Sequence, residues 1–187
     1  MSKKLVLARI PLAEKQCLAG ALFDDNKAVG LYLGFPEKRS LLGDIYIGKV
    51  ENVNRSMRAA FVRFTHDQTG YLPLREGQEP AAGSEIIVQV EKEAMKQKLP
   101  RLTDTLSFPG RFLVLCSDPS VRTFSRKLSA EERDRAGAVL RPVISDNTGF
   151  IVRTNAGSAK EEEIREEFRR LHSQMEDVLT YGRSRVC

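Results

Sequence analysis

The sequence predicts an α+β protein built around a five-stranded β-barrel of the OB type. Between residues 44 and 105, short segments of alternating apolar and polar residues follow one another closely with little helical periodicity. Before them stand strand-like runs separated by turn residues, and after them strand and helix signals alternate.

Taken in order, Leu5–Arg9, Gln16–Phe23 and Ala28–Gly34 read as three strands of an antiparallel meander. Pro11 is expected to break the chain after the first strand, and Asp24-Asp25-Asn26-Lys27 supplies the turn before the third. Pro36 closes the meander, and Glu37-Lys38-Arg39-Ser40 reads as a linker. The barrel strands are predicted at Asp44–Val53, Ala59–Phe64, Gly70–Leu72, Glu85–Glu91 and Arg101–Thr105. In the fourth, Ile86, Val88 and Val90 point to one side and Glu85, Ile87 and Gln89 to the other.

Beyond Leu106 the pattern is mixed. Arg111–Cys116 is a strand candidate, and Ser129 with Glu132 forms a capping box that opens a helix to about Leu140, where Pro142 stops it. Asn147-Thr148-Gly149 turns into a strand at Phe150–Arg153. Ser158 with Glu161 is expected to cap a second helix running to roughly Leu179. Its residues Ile164, Phe168, Leu171, Met175 and Val178 recur at steps of four and three, which lines one face for packing.

Composition agrees with a folded chain of one large or two small domains: 187 residues, 41% hydrophobic and 29% charged, with mean hydropathy −0.33. The opening MSKKLVLARIPLAEK is too short and interrupted in its apolar part to read as a signal peptide. Cys17, Cys116 and Cys187 are odd in number and far apart, which argues against a disulfide framework or a structural zinc site and predicts a cytoplasmic protein.

The net charge of +5 and a pI near 9.2 favour a polyanionic partner. The positive residues also cluster, as Lys92, Lys96, Lys98 and Arg101 and again as Arg122, Arg126 and Lys127, which suits either phosphate contacts or a solvated face. In the strand Ala59-Ala60-Phe61-Val62-Arg63-Phe64, inward Val62 and Phe64 would place Phe61 outward beside Arg63. With Tyr71 adding a second ring, this makes a platform on which bases could stack, the alternative being aromatics packed under a loop.

The residues from Asp44-Ile45-Tyr46-Ile47-Gly48-Lys49-Val50 through Arg55-Ser56-Met57-Arg58-Ala59-Ala60-Phe61-Val62 to Thr69-Gly70-Tyr71-Leu72-Pro73-Leu74 closely resemble the S1 domain of the ribonuclease E/G family. Further on, Leu102-Thr103, Phe108-Pro109-Gly110-Arg111-Phe112-Leu113-Val114-Leu115, Phe124-Ser125-Arg126-Lys127 and Gly149-Phe150-Ile151-Val152-Arg153-Thr154 are similar, in order and spacing, to the segment that follows that domain. The N-terminal strands resemble the part of the family's RNase H-like subdomain that precedes the S1 insertion.

The resemblance implies three parts: partial RNase H-like strands at residues 1–40, an S1 domain at 41–104 and a 5′-sensor-like α/β segment at 105–187. It also implies a partner, single-stranded RNA with a 5′ monophosphate. The family's phosphate-gripping arginine and threonine fall on Arg153 and Thr154, a guanidinium and a hydroxyl suited to phosphate oxygens. The residues shaping that pocket fall on Gly110, where a missing side chain would let a nucleotide approach the backbone, and Val114. The S1 residues used for RNA fall on Phe61, Tyr71 and Lys98, with tyrosine standing where the family has phenylalanine.

In the complete family enzyme, magnesium is bound by two aspartates and an asparagine well downstream, and a cysteine pair beyond them holds a zinc linking subunits. Downstream of the barrel no Asp-x-Asn, and nowhere a Cys-x-x-Cys, stands in for them. The carboxylates Asp24, Asp25, Asp104, Asp118 and Asp146 are scattered through turns, and His66 and His172 read as solvated. The expectation is therefore a substrate-binding portion of an endoribonuclease, with no cofactor in this chain and no cleavage by it alone. It could be a truncated product, a fragment or a stand-alone protein. Two further readings stand beside this one: a general RNA-binding or ribosome-associated module using only the barrel surface, and a compact active enzyme. A monomer is expected, or a dimer through the apolar helix stripe if that is uncovered.

Overall fold

The computed structural model describes residues 3–12, 15–34, 40–95 and 98–185. Pro36 and most of the expected linker, Lys96 and Cys187 lie outside them. The chain divides into two compact units, Met1–Leu41 and Leu42–Cys187.

The first unit is an antiparallel meander of β1 (Lys3–Leu12), β2 (Lys15–Asp24) and β3 (Lys27–Gly34), with β2 in the middle. Its second hairpin turns through Asp25 and Asn26, closing on the pair Asp24 and Lys27, and Asp25 takes the left-handed φ of 53° that such a turn requires. Pro11 does not break β1: the strand continues through it to Leu12, which pairs with Lys15. The reason is position, because β1 is an edge strand and a proline there loses no ladder bond on its open side.

The second unit begins with a closed barrel of β4 (Ile45–Asn54), β5 (Ala59–Arg63), β6 (Thr69–Pro73), β7 (Glu85–Lys92) and β8 (Arg101–Thr103), in the order β4-β5-β6-β8-β7. All neighbours are antiparallel except β6 and β8, which pair in parallel at Tyr71 and Arg101. Val50, Val62, Leu72, Val88, Val90 and Leu102 fill the interior. Two inward positions carry no side chain: a Cβ on Gly48 would lie 2.5 Å from Val62 Cγ1, and one on Gly70 would lie 2.6 Å from Leu102 Cδ1. These glycines let branched side chains from neighbouring strands fill the axis of a narrow barrel.

A four-stranded sheet follows, ordered β11-β12-β10-β9, from β9 (Ser107–Pro109), β10 (Leu113–Cys116), β11 (Arg122–Phe124) and β12 (Gly149–Val152). Two helices, α1 (Ala130–Leu140) and α2 (Glu161–Arg185), share one core with it. The capping box of α1 is present in both directions: Glu132 N–H donates to Ser129 Oγ, and Ser129 N–H donates to a Glu132 carboxylate oxygen. The expected Ser158 cap on α2 is not formed. Residues Thr154–Ser158 instead wind into a 3₁₀ turn, and the Lys160 N–H donates to Glu163, so the helix starts two residues later than the Ser158 pattern suggests.

The α2 stripe packs inward as expected, with Ile164, Phe168, Leu171 and Met175 all buried. It is therefore occupied within the molecule and does not offer a second copy the uncovered face that a stripe-mediated dimer needs.

The barrel and the α/β layer meet along β7. Its side-chain alternation holds, but both sides are covered, so Val88, Gln89 and Val90 are all buried. Ile87 packs against the core of the second half, and Gly182 of α2 lies directly on it. The Gln89 amide is fully used: Nε2 donates to the carbonyls of Gly43 and Ser107, and Oε1 accepts from the Ser107 amide and hydroxyl. A buried amide with every partner supplied fixes orientation as well as position.

Candidate functional site

On the barrel exterior, Phe61 and Tyr71 are directly opposed across β5 and β6, so their rings stand side by side. The centroids are 6.3 Å apart with planes at 68°, an edge-to-face pair, and both residues are half-buried, which leaves ring surface in contact with solvent. Strand alternation is what turns them outward, since their neighbours Ala60, Val62, Gly70 and Leu72 are buried.

The cations beside the rings are paired. Arg63 Nε lies 3.4 Å from Glu51, which also accepts from Thr69 Oγ1. Arg101, the cross-strand neighbour of Tyr71, is held by Glu91 at 2.7 Å. Lys98 is exposed, its N–H donating to the Met95 carbonyl, and stands two residues before the Pro100 carbonyl that receives the Tyr71 N–H. It thus stands on the approach to Tyr71.

The second cluster lies at the end of β12. Arg153, Thr154, Asn155, Ile151, Val152, Arg111 and Ser125 line an open cleft of about 460 Å³. Thr154 Oγ1 and Ser125 Oγ are 2.8 Å apart, and Ser125 is fixed by its N–H donating to the Val152 carbonyl. Arg153 is anchored at both ends: its N–H donates to the Phe112 carbonyl, and Nη1 donates to the Gly110 carbonyl at 2.6 Å. One contact at Nη1 leaves the other edge of the guanidinium fork available to the cleft.

Gly110 and Arg153 are therefore adjacent, but the space over Gly110 is taken. A Cβ there would meet the Glu167 carboxyl carbon at 2.5 Å and its oxygens at 2.6 and 2.8 Å. The glycine accommodates a carboxylate of the same chain where the sequence suggests an approaching nucleotide. Glu167 is 8% exposed and accepts the N–H groups of Arg111, Phe112 and Leu113 at 2.7, 2.7 and 2.8 Å. The expected strand Arg111–Cys116 consequently starts only at Leu113, because the preceding N–H groups curl around this anion. Val114 is half-buried on β10, opposite Ile151, one strand in from the cleft wall.

Sequence reasoning missed Ser125 and Glu167 as site residues. Ser125 lies within the quoted Phe124-Ser125-Arg126-Lys127 motif, and Glu167 stands three residues after Ile164 and four before Leu171, on the edge of the apolar stripe. A glutamate at that spacing is the available signal that one carboxylate of a charged helix turns inward.

The other chemistry-bearing residues are otherwise engaged. Asp104 and Asp118, far apart in sequence, converge on Arg75 at 2.8 and 2.9 Å. His66 is exposed, and His172 stacks on Phe168 at 5.5 Å. Burial, aided by Asp118, pushes the Cys116 thiol up, which makes it a poor nucleophile. Among the described residues no group of three or more His, Cys, Asp or Glu side chains is placed to hold a metal ion, and no helix is long and apolar enough to cross a membrane.

The architecture defines a class: an OB-type barrel with an outward ring pair, fused in one unit to an α/β layer carrying an arginine–hydroxyl cleft. The family model for the ribonuclease E/G family matches residues 107–186. The chain is 33% identical over 94% of its length to ribonuclease E of Nostoc sp., 30% over 82% to ribonuclease E of Escherichia coli, and 31% over 70% to ribonuclease G of Haemophilus influenzae. It spans 27%, 16% and 31% of those relatives. The chain belongs to the ribonuclease E/G family.

Proposed function

We propose that this chain binds single-stranded RNA and reads its 5′-monophosphate end, as the substrate-holding portion of an RNase E/G-type endoribonuclease acting in RNA processing and decay. The observation that carries the reading is the convergence of Arg153, Thr154, Ser125 and Arg111 on one open cleft. A terminal phosphate entering there would meet a guanidinium edge and two hydroxyls already held at 2.8 Å from each other, so little ordering is left to be done on binding.

The barrel supplies the second half of the grip. Phe61 and Tyr71 offer faces on which bases of the trailing strand stack, and stacking tolerates any base, so the reading assigns recognition to the 5′ end and to single-strandedness rather than to sequence. Lys98 adds a positive charge near Tyr71. The reading takes no cofactor for this chain; magnesium and zinc are what the resemblance implies for the complete family enzyme.

The test is a fluorescence-anisotropy series with one oligomer carrying a 5′ monophosphate, a 5′ triphosphate or a 5′ hydroxyl. The monophosphate should bind about tenfold or more tighter than the hydroxyl, the equivalent of one charge-assisted hydrogen bond. Arg153→Ala should abolish the difference. Equal affinity for the three ends would instead indicate an RNA-binding module that uses only the barrel.

A further inference from the structure

Three backbone N–H groups in succession, from Arg111 to Leu113, point at the Glu167 carboxylate. Successive N–H groups make a concave anion-binding nest, and here the anion is a side chain from α2. The nest residue before them, Gly110, is pressed against the same carboxyl group and has no room for a Cβ. With its N–H paired to the Leu113 carbonyl at 2.7 Å, the Gly110 peptide has no freedom to turn, and its carbonyl faces Arg153 Nη1. A chain of short contacts thus runs from the helix through the loop to the guanidinium.

We propose that Glu167 is a positioning residue that sets where the Arg153 guanidinium stands in the cleft, and so governs discrimination of a 5′ phosphate without touching RNA. This rests on the reading of the cleft given above. Arg153 needs such a device. An arginine side chain has several rotatable bonds, and a loose one would lose entropy on gripping a phosphate that a pre-aimed one does not. Glu167 performs the aiming from a site that is 8% exposed and walled off from the cleft by the loop itself. The only cation paired with it, among the described residues, is Arg170 at 3.7 Å, on its own helix.

Two substitutions probe the device. Glu167→Gln keeps the volume but presents one oxygen and an NH₂ group to three N–H donors, so the nest loses acceptors. Gly110→Ala drives a methyl group into the carboxylate while leaving Glu167 intact. In the full chain both should lower the preference for 5′-monophosphate over 5′-hydroxyl RNA about tenfold, toward unity, with hydroxyl-RNA affinity unchanged within about twofold. Damage spread over the whole fold would lower both affinities together.

The second readout needs no RNA. The Arg153 Nε–Hε resonance, identified by its loss in Arg153→Lys, should shift in both variants. If wild-type protein shows no end preference but the resonance still moves, the 5′-end reading fails and the positioning role stands. If the resonance stays put and the preference is retained in both variants, the proposal is overturned.

Discussion

Phe61 and Tyr71 lie on a barrel face where each nearby arginine already has a carboxylate: Arg63 has Glu51, and Arg101 has Glu91. On the proposed function, RNA phosphates reaching that face would compete with these glutamates, so ring stacking would carry more of the binding than the local positive charge suggests. Phe61→Ala and Tyr71→Ala should each weaken RNA binding by ~1–3 kcal/mol whatever the 5′ end, measured by anisotropy. Glu91→Gln should do the opposite. It frees Arg101 for phosphate and should tighten binding while steepening the salt dependence by about one unit of log K against log salt. A variant with unchanged slope would mean that Arg101 does not meet the strand.

At the scale of single elements, α1 is the plainest case of local chemistry deciding a boundary. Ser129 and Glu132 satisfy two helix-end donors between them, so Ser129→Ala should cost ~1 kcal/mol in urea unfolding. That box was legible because everything it needs lies within four residues. The same letters at Ser158 and Glu161 misled, since Ser158 is consumed by a 3₁₀ turn whose formation depends on packing of Ala156 in the core. The barrel strands were legible from alternation. The strands β9 and β11 were not, because three residues are too few to display a period, and β11 takes its partner β12 from beyond α1. Of the cleft, Arg153 and Thr154 stood out through the motif that carries them. The role of Gly110 did not, because it depends on a carboxylate more than fifty residues away, a separation no local pattern records.

For the molecule as a whole, the question is whether barrel and α/β layer can move independently. The structure argues against it. Gln89 locks β7 to β9 through three hydrogen bonds with Ser107, and a fourth ties it to the Gly43 carbonyl. On another side, Arg75, from the loop after β6, reaches Asp104 and Asp118, and Gln78 donates to the same Asp104 oxygen. The unit Leu42–Cys187 should therefore unfold in one cooperative transition by calorimetry, and separate transitions for its two halves would contradict the seam. Acid should open the Arg75 seam first. Asp118 is held below its ordinary 3.8 mainly by the Ser120 hydroxyl and amide, with Arg75 adding to it. A depressed carboxyl contributes stability that is complete above the ordinary value and is lost as pH falls through the lower folded one. Arg75 stays charged throughout, its own value being raised chiefly by Asp104, so the titrating partner is the aspartate. As pH falls below about 4, the urea midpoint of the wild type should fall more steeply than that of Asp118→Asn, which has no proton to take up there. Parallel curves would mean that the Asp118 charge contributes nothing to the joint, and that the Gln89 brace and the packing of Ile87 hold the barrel against the layer that carries Arg153.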